Sequence, residues 1–534
     1  MKIGGVVLDR TLLNRGAWAL IWVMGLVLGS GISAADEPGH TELGEISFPT
    51  SGSAEAQQHF LQGVLYLHSF EYDDALEAFQ RARKVQPDFT MAFWGEAMTH
   101  NRPIWMYENL QEARAVLALL GENSDRRIQG APTPREGGYL EAVEVLYGEG
   151  TRLERNLAYA EAMERLMKTY PEDLEAAAFY SLSLLGTCHE GRDFATYMKA
   201  AAVAEEIFAA NPQHPGAAHY LIHSYDDPIH APLGLRAARV YADIAPAAVH
   251  ALHMPSHIFF ALGRWQESVS SNIDSWEAAE ARVKAKNLGP EQRGYHALLW
   301  LHYAYLQQGK FEDAARLLAV IRQDLEGSDA ERIRAHYLQM RAHHLMNTEA
   351  WRGIPEGPDL SDLPVHWVAT DHFTTGLAAL RRGKKQLAQD SFEAIQGLDL
   401  EGSDEAKVLA LELEGSLLLV DGQPELAVER LQEAVTLEEG IPFGLGPPRP
   451  AKPSHEMLGE VFLFLGRSEE AQEIFARSLE RAPGRSLSLR GLAESARRSG
   501  DLVTAQSATA ALREIRRRSR GGGGQAESVG GGSE

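Results

Sequence analysis

"AQQHFLQGVLYLHSFEYDDALEAFQRARKVQPDF", residues 56–89, decides how the rest of the chain is read. Apolar residues recur every three or four positions on both sides of a short polar break, the period of two amphipathic helices. Numbered from Ala56, the small residues Gly63, Ala75 and Ala82 fall at positions 8, 20 and 27 of a 34-residue frame. The bulky Tyr66 and Phe79 fall at 11 and 24, and Pro87 at 32. Small residues at those places let two antiparallel helices approach, and the large ones fill the space between. The proline cannot continue the second helix and ends it.

The frame recurs. Residues 369–402 place Gly376, Ala388 and Phe392 on it, and residues 408–441 place Gly415, Ala427, Leu431 and Ala434. Residues 452–485 place Gly459, Phe462, Ala471, Phe475 and Pro483, and residues 486–519 carry Ala493, Ala505 and Leu512. The pattern resembles the tetratricopeptide repeat (TPR). The resemblance implies an all-α, right-handed TPR solenoid of antiparallel helix pairs with a concave groove, because each repeat buries its apolar face only against its neighbours. The N-terminal and central helix pairs then occupy residues 56–368. A C-terminal array follows over 369–519, interrupted by the proline-glycine loop 440–451, read as linker or flap.

The ends differ from the body. Lys2, Arg10 and Arg15 precede the apolar run "AWALIWVMGLVL", and "SGISAADE" follows with small residues at Ser33 and Ala35. This order is that of a signal peptide over residues 1–35, cleaved after Ala35, and it predicts a periplasmic or otherwise exported protein. The alternative is a retained N-terminal membrane anchor, although the apolar run is shorter than the roughly 20 residues a spanning helix needs. No membrane span is expected after cleavage. Residues 36–55 are expected to be an exposed segment, and the glycine-rich 520–534 a disordered tail.

Composition narrows the function. The formal charge is −23, or about −25 without residues 1–35; phosphates are repelled by such a chain, so nucleic acid is not an expected partner. The single cysteine, Cys188, excludes an internal disulfide. HExxH, CxxC, P-loop and GxSxG patterns are all missing, and Cys188 beside His189, Glu190 and Arg192 is too isolated to read as a nucleophile pair. No catalytic residue can be assigned.

Histidine is the exception to this plainness. Seven lie between His214 and His257, where the chain average of 20 in 534 predicts about 1.6. "HPGAAHYLIHSYDDPIH" sets His219 and His223 one helical turn apart, after a proline suited to a first turn. "HALHMPSHIFFALG" adds His250, His253 and His257 around Pro255. In the repeat frame His257 and His302 take position 8, which normally holds a small residue. His219, His223, His253 and His257 are therefore the candidate ligands of a transition metal such as zinc or copper. Asp226, Asp227, His230 and His302 are placed at the edge of that site. His68, His100, His189 and His296 are scattered candidates whose default reading is structural.

The phrases "AFWGEAMTHNRPIW", "HPGAAHYLIHSYDDPIHAPLGLRAARVYA" and "HALHMPSHIFFALG" are similar to those of an exported TPR family of Gram-negative bacteria. The resemblance implies fold and export, and no reaction or ligand comes with it. Two functions follow as expectations. The first is an interaction scaffold that holds a protein or peptide segment in its groove. The alternative is a metal-dependent enzyme or metal-binding protein with its site in the histidine-rich section 214–302.

Overall fold

Phe79 and Phe475 show how the helices pack. A Cβ on Gly63 would meet the Phe79 ring at 2.6 Å, and Gly95, in the next repeat, is pressed against the same ring. Four hundred residues on, a Cβ on Gly459 would meet the Phe475 ring at 2.7 Å, and Gly491 presses on it from the following repeat. Each phenylalanine thus lies between two glycines of successive units, which only hydrogen at those positions permits. Ala75, Ala388, Ala427 and Ala471 are all buried without remainder. Gly376 and Gly415 abut Ser391 and Leu431 in the same way.

The computed structural model describes residues 42–353 and 355–521. It is an all-α TPR solenoid. Helices Ala54–His68 and Tyr72–Val85 pair, with Pro87 in the turn that follows. In the C-terminal array the pairs are Val365–Arg381 with Lys385–Gln396, Asp404–Val420 with Pro424–Gly440, Ser454–Phe464 with Ser468–Arg481, and Ser486–Ser499 with Leu502–Gly521. Among the described residues the only sheet is the two-residue antiparallel pairing of Asn101–Arg102 with Tyr107–Glu108. No described helix is long and apolar enough to cross a membrane. The signal segment 1–35, with its alternative as an anchor, and the tail beyond residue 521 lie outside the described residues.

Two expectations need correction. In the last unit the close-contact position belongs to Gly491, two residues before the expected Ala493; the turn through Gly484 is short, so the helix restarts early. The segment before residue 56 is not simply exposed. Leu43 and Phe48 are buried, and Phe48 packs edge-on against Phe60 and Trp94. The C-terminal array also makes contacts distant in sequence. It folds back on the central helices: Trp265 Nε1 donates to Gly484 O at 2.9 Å, and Ser486 N to Gln307 Oε1 at 2.9 Å. Arg485, wholly buried at that junction, forks onto both oxygens of Glu456 at 2.7 and 2.8 Å and also reaches Tyr303 Oη.

The loop between Gly440 and Ser454 straps across this inner space. Pro442 presses on Gly191, and Gly446 packs its backbone on the Trp300 indole. Arg481 stacks over Phe443 at 4.8 Å and Arg449 over Trp367 at 5.0 Å.

Candidate metal centre

The central helices bring the histidines together. Pro215 opens the helix Pro215–Tyr225, so His219 and His223 share one face, and every side chain of this helix is buried. The chain then turns at Asp226–Asp227. Helix Val249–His253 is followed at once by Pro255–Ala261. Met254 between them keeps right-handed helical angles, φ −56° and ψ −36°, so Pro255 serves as a first-turn residue without turning the chain aside. His250, His253 and His257 therefore stay on one face at spacings of three and four. The helix Tyr295–Gln307 brings His296 against His253, ring centres 4.5 Å apart.

Local acceptors fix the ring tautomers. His219 Nδ1 lies 2.6 Å from the carbonyl oxygen of His68. His253 Nδ1 lies 2.7 Å from Asn272 Oδ1, whose amide nitrogen is committed to Ser268 O at 2.8 Å. His257 Nδ1 lies 3.0 Å from Asp226 Oδ2, and His223 Nδ1 lies 3.4 Å from the same oxygen. Each of these oxygens accepts a hydrogen bond from Nδ1–H, and the neutral ring then carries its free lone pair on Nε2.

Those Nε2 atoms converge. His219, His223 and His250 bring ring nitrogens within 4.8 Å of one another, and the Nε2 of all three is buried with no hydrogen-bond partner. His253, His257 and His296 form a second such group. There His253 Nε2 faces His257 Nε2 at 3.1 Å, two lone pairs aimed at each other. Buried polar atoms of this kind cost free energy unless something satisfies them.

Burial is the main electrostatic cause throughout. It pushes the pKa of His219, His250, His253 and His296 well below the usual imidazole value, helped by the neighbouring rings, and it also lowers that of His257 against the pull of Asp226. These rings stay neutral, as ligation requires. Burial works against the Asp226 carboxylate, but the Arg192 guanidinium and the hydrogen bonds from His223 and His257 overcome it and hold its pKa far below the usual carboxylate range.

The four histidines expected as ligands lie in adjoining groups, His219 and His223 with His250, His253 and His257 with His296, and His223 and His257 also meet at Asp226. His250 and His296 complete the groups. For His250 the signal was the three-then-seven spacing His250–His253–His257; for His296 no local pattern existed. Of the expected edge residues, Asp226 sits at the centre, joining His223 to His257. Asp227 and His230 lie beside it: Asp227 is 3.6 Å from Arg192, which also holds Asp226, and accepts from the backbone N–H groups of Ile229 and His230 at 2.9 and 3.0 Å and from the His230 ring, the chain-turning role of an Asp before proline. His302 is elsewhere, its Nε2 3.3 Å from His344 Nδ1. A further group, His68, Glu175 and His214, is wholly buried and contains a carboxylate. Glu175 takes His68 Nε2 at 2.6 Å; burial raises its pKa, but the two histidines outweigh that and bring it down to about 2. Cys188 is no activated thiol, since burial pushes its pKa up.

A cleft of about 540 Å³ opens onto His250, His253 and His296. Arg102 and Arg332 line it, and the aromatic rings of Phe70 and Trp105 flank His250.

The family model for the tetratricopeptide repeat matches residues 456–520. No curated protein matches the chain in sequence. Among solved structures, it is similar to a human IFIT1 dimer with m7Gppp-AAAA at 13% identity, covering 88% of this chain and 91% of that one with a TM-score of 0.35. It is also similar to yeast Tom70, at 11% identity over 84% and 89% of the two chains, TM-score 0.32, and to the TPR domain of P58(IPK), at 14% identity over 84% and 99%, TM-score 0.24. At such scores these likenesses say nothing of ligand or partner.

Proposed function

We propose that this protein is an exported interaction scaffold whose inner face holds a proline-containing segment of a partner protein. One observation carries the reading: that face already holds a proline-containing, bent segment of its own chain. Residues 441–449, "IPFGLGPPR", lie against Trp300, Phe194 and Trp367. Arg481 donates to the Ile441 carbonyl at 3.2 Å, and Arg449 pairs with Glu405 at 2.7 Å. Aromatic-lined grooves are how proline-rich chains are recognised, since such chains lose little entropy on binding. The strap then acts as an internal competitor for the partner.

Replacing residues 442–448 by a glycine-serine linker frees the face. A synthetic peptide of residues 440–451 should bind that variant, with quenching or shift of tryptophan fluorescence, and should bind the intact protein far more weakly. A folded linker variant that ignores the peptide refutes the proposal. Export rests on the order of basic, apolar and small residues before Asp36. Sequencing the N-terminus from cell fractions tests it; a cytoplasmic protein starting at Met1 ends that part of the reading.

A further inference from the structure

We infer that the central helices bind two transition-metal ions side by side, one on His219, His223 and His250 and the other on His253, His257 and His296. The argument is one of unmet lone pairs. Carbonyl, amide and carboxylate oxygens hold the Nδ1 protons of His219, His253 and His257, so none of these rings has a proton left for Nε2. In the first group three buried Nε2 atoms meet no protein donor at all. In the second, two acceptor nitrogens stand 3.1 Å apart. Contact between lone pairs is repulsive, whereas two imidazoles bound tetrahedrally to one ion at about 2.0–2.1 Å put their nitrogens about 3.4 Å apart. The observed separation is close to the bite of a shared ion.

The surroundings are those a metal site needs. Ligating histidines are oriented by an oxygen on the far nitrogen, the role His68 O, Asn272 and Asp226 take. Asp226 serves one ring of each group and is itself held by Arg192, so it couples the two sites. The donors are all imidazole, with no thiolate, which suits zinc or copper and disfavours magnesium or calcium. The cleft beside His250 and His296 supplies the access route.

The test uses untagged full-length protein stripped by a chelator, then equilibrated with Zn²⁺ alone and dialysed. Elemental analysis should find two zinc ions per chain. His250 and His296 are the half-buried members at the cleft, so replacing them least disturbs the core. His250→Ala and His296→Ala should each weaken one ion by at least about 100-fold and leave the other, and Asp226→Asn should weaken both by about 10–100-fold. His230→Ala should retain both ions. Far-ultraviolet circular dichroism confirms that each variant is folded. Fewer than two ions in the intact protein, or unchanged stoichiometry and affinity in folded His250→Ala and His296→Ala, would overturn the inference. A folded linker variant that loads two ions yet binds no strap peptide upholds the metal centre and refutes the scaffold.

Discussion

The C-terminal array and the central helices solve the same packing problem with opposite means. In the array the close-contact position is glycine, and the partner helix of the same repeat fills the gap with hydrocarbon: Leu431 over Gly415, Phe475 over Gly459. In the centre the same position holds His257, which stacks on Trp300 at 4.5 Å and donates its Nδ1–H to Asp226. One solution is dry and needs no partner beyond the next repeat. The other buries nitrogen atoms that the protein alone leaves unsatisfied. A repeat scaffold tolerates this because stability is distributed among neighbours, so a costly site in one stretch is offset by ordinary packing on either side.

The comparison can be broken at its hydrocarbon end first. Phe475→Ala removes a ring wedged between two glycines, a site whose backbone cannot collapse freely, and should cost about 3–5 kcal/mol in urea unfolding. Phe79→Ala, in the same arrangement near the other end, should cost a similar amount; a loss under 1 kcal/mol at either would show that the glycine contacts are incidental. Smaller is the effect of Gly459→Ala, whose new methyl meets the ring head-on. Overpacking should destabilise by about 1–3 kcal/mol, and a neutral result would deny the tight approach.

The smallest effect lies at the polar end and is read against pH. His343 is buried with neither ring nitrogen bonded, and burial, with the Arg485 and Arg449 charges, brings its pKa down to about 3. Unfolded, it titrates near 6.5. Below that pH the unfolded chain holds the extra proton and the folded one does not. Stability is therefore full above pH 6.5 and falls as the pH drops toward 3, by about 1.4 kcal/mol per unit for this one group. In chelator-treated protein, His343→Leu should flatten the fall in urea midpoint between pH 6.5 and 5 by that slope. An unchanged slope would place the acid sensitivity elsewhere.

How much was legible follows from the same contrast. Repeats announce themselves because small residues at fixed spacing have one physical use, and Gly63, Gly376, Gly415 and Gly459 all prove to be contact points. The histidine excess marked the section where the rings cluster, and helical spacing joined His219 to His223. Assigning rings to a site needs distances between helices, which the frame does not encode. That is why Asp226 was put at the rim when it is the hinge of the cluster, and why His296, some forty residues from its nearest ligand partners in another pair's helix, could not be paired with His253. Likewise His302 shared the position-8 signature of His257 but faces a different neighbour. The fold-back of the array depends on Arg485 and Glu456, whose charges give no hint in sequence that both are buried.

That fold-back changes how the chain should come apart. An open array of repeats frays from its ends, each unit melting nearly on its own. Here the Trp265–Gly484 and Ser486–Gln307 bonds tie positions about 180–220 residues apart in sequence, and the Arg485–Glu456 fork locks the closure from within. Loss of the last two repeats would uncover the flank of the histidine helices as well as the array's own edge. Unfolding is then a single cooperative event spanning the middle and the C-terminal half, and the clasp, more than any one repeat, sets the height of its barrier.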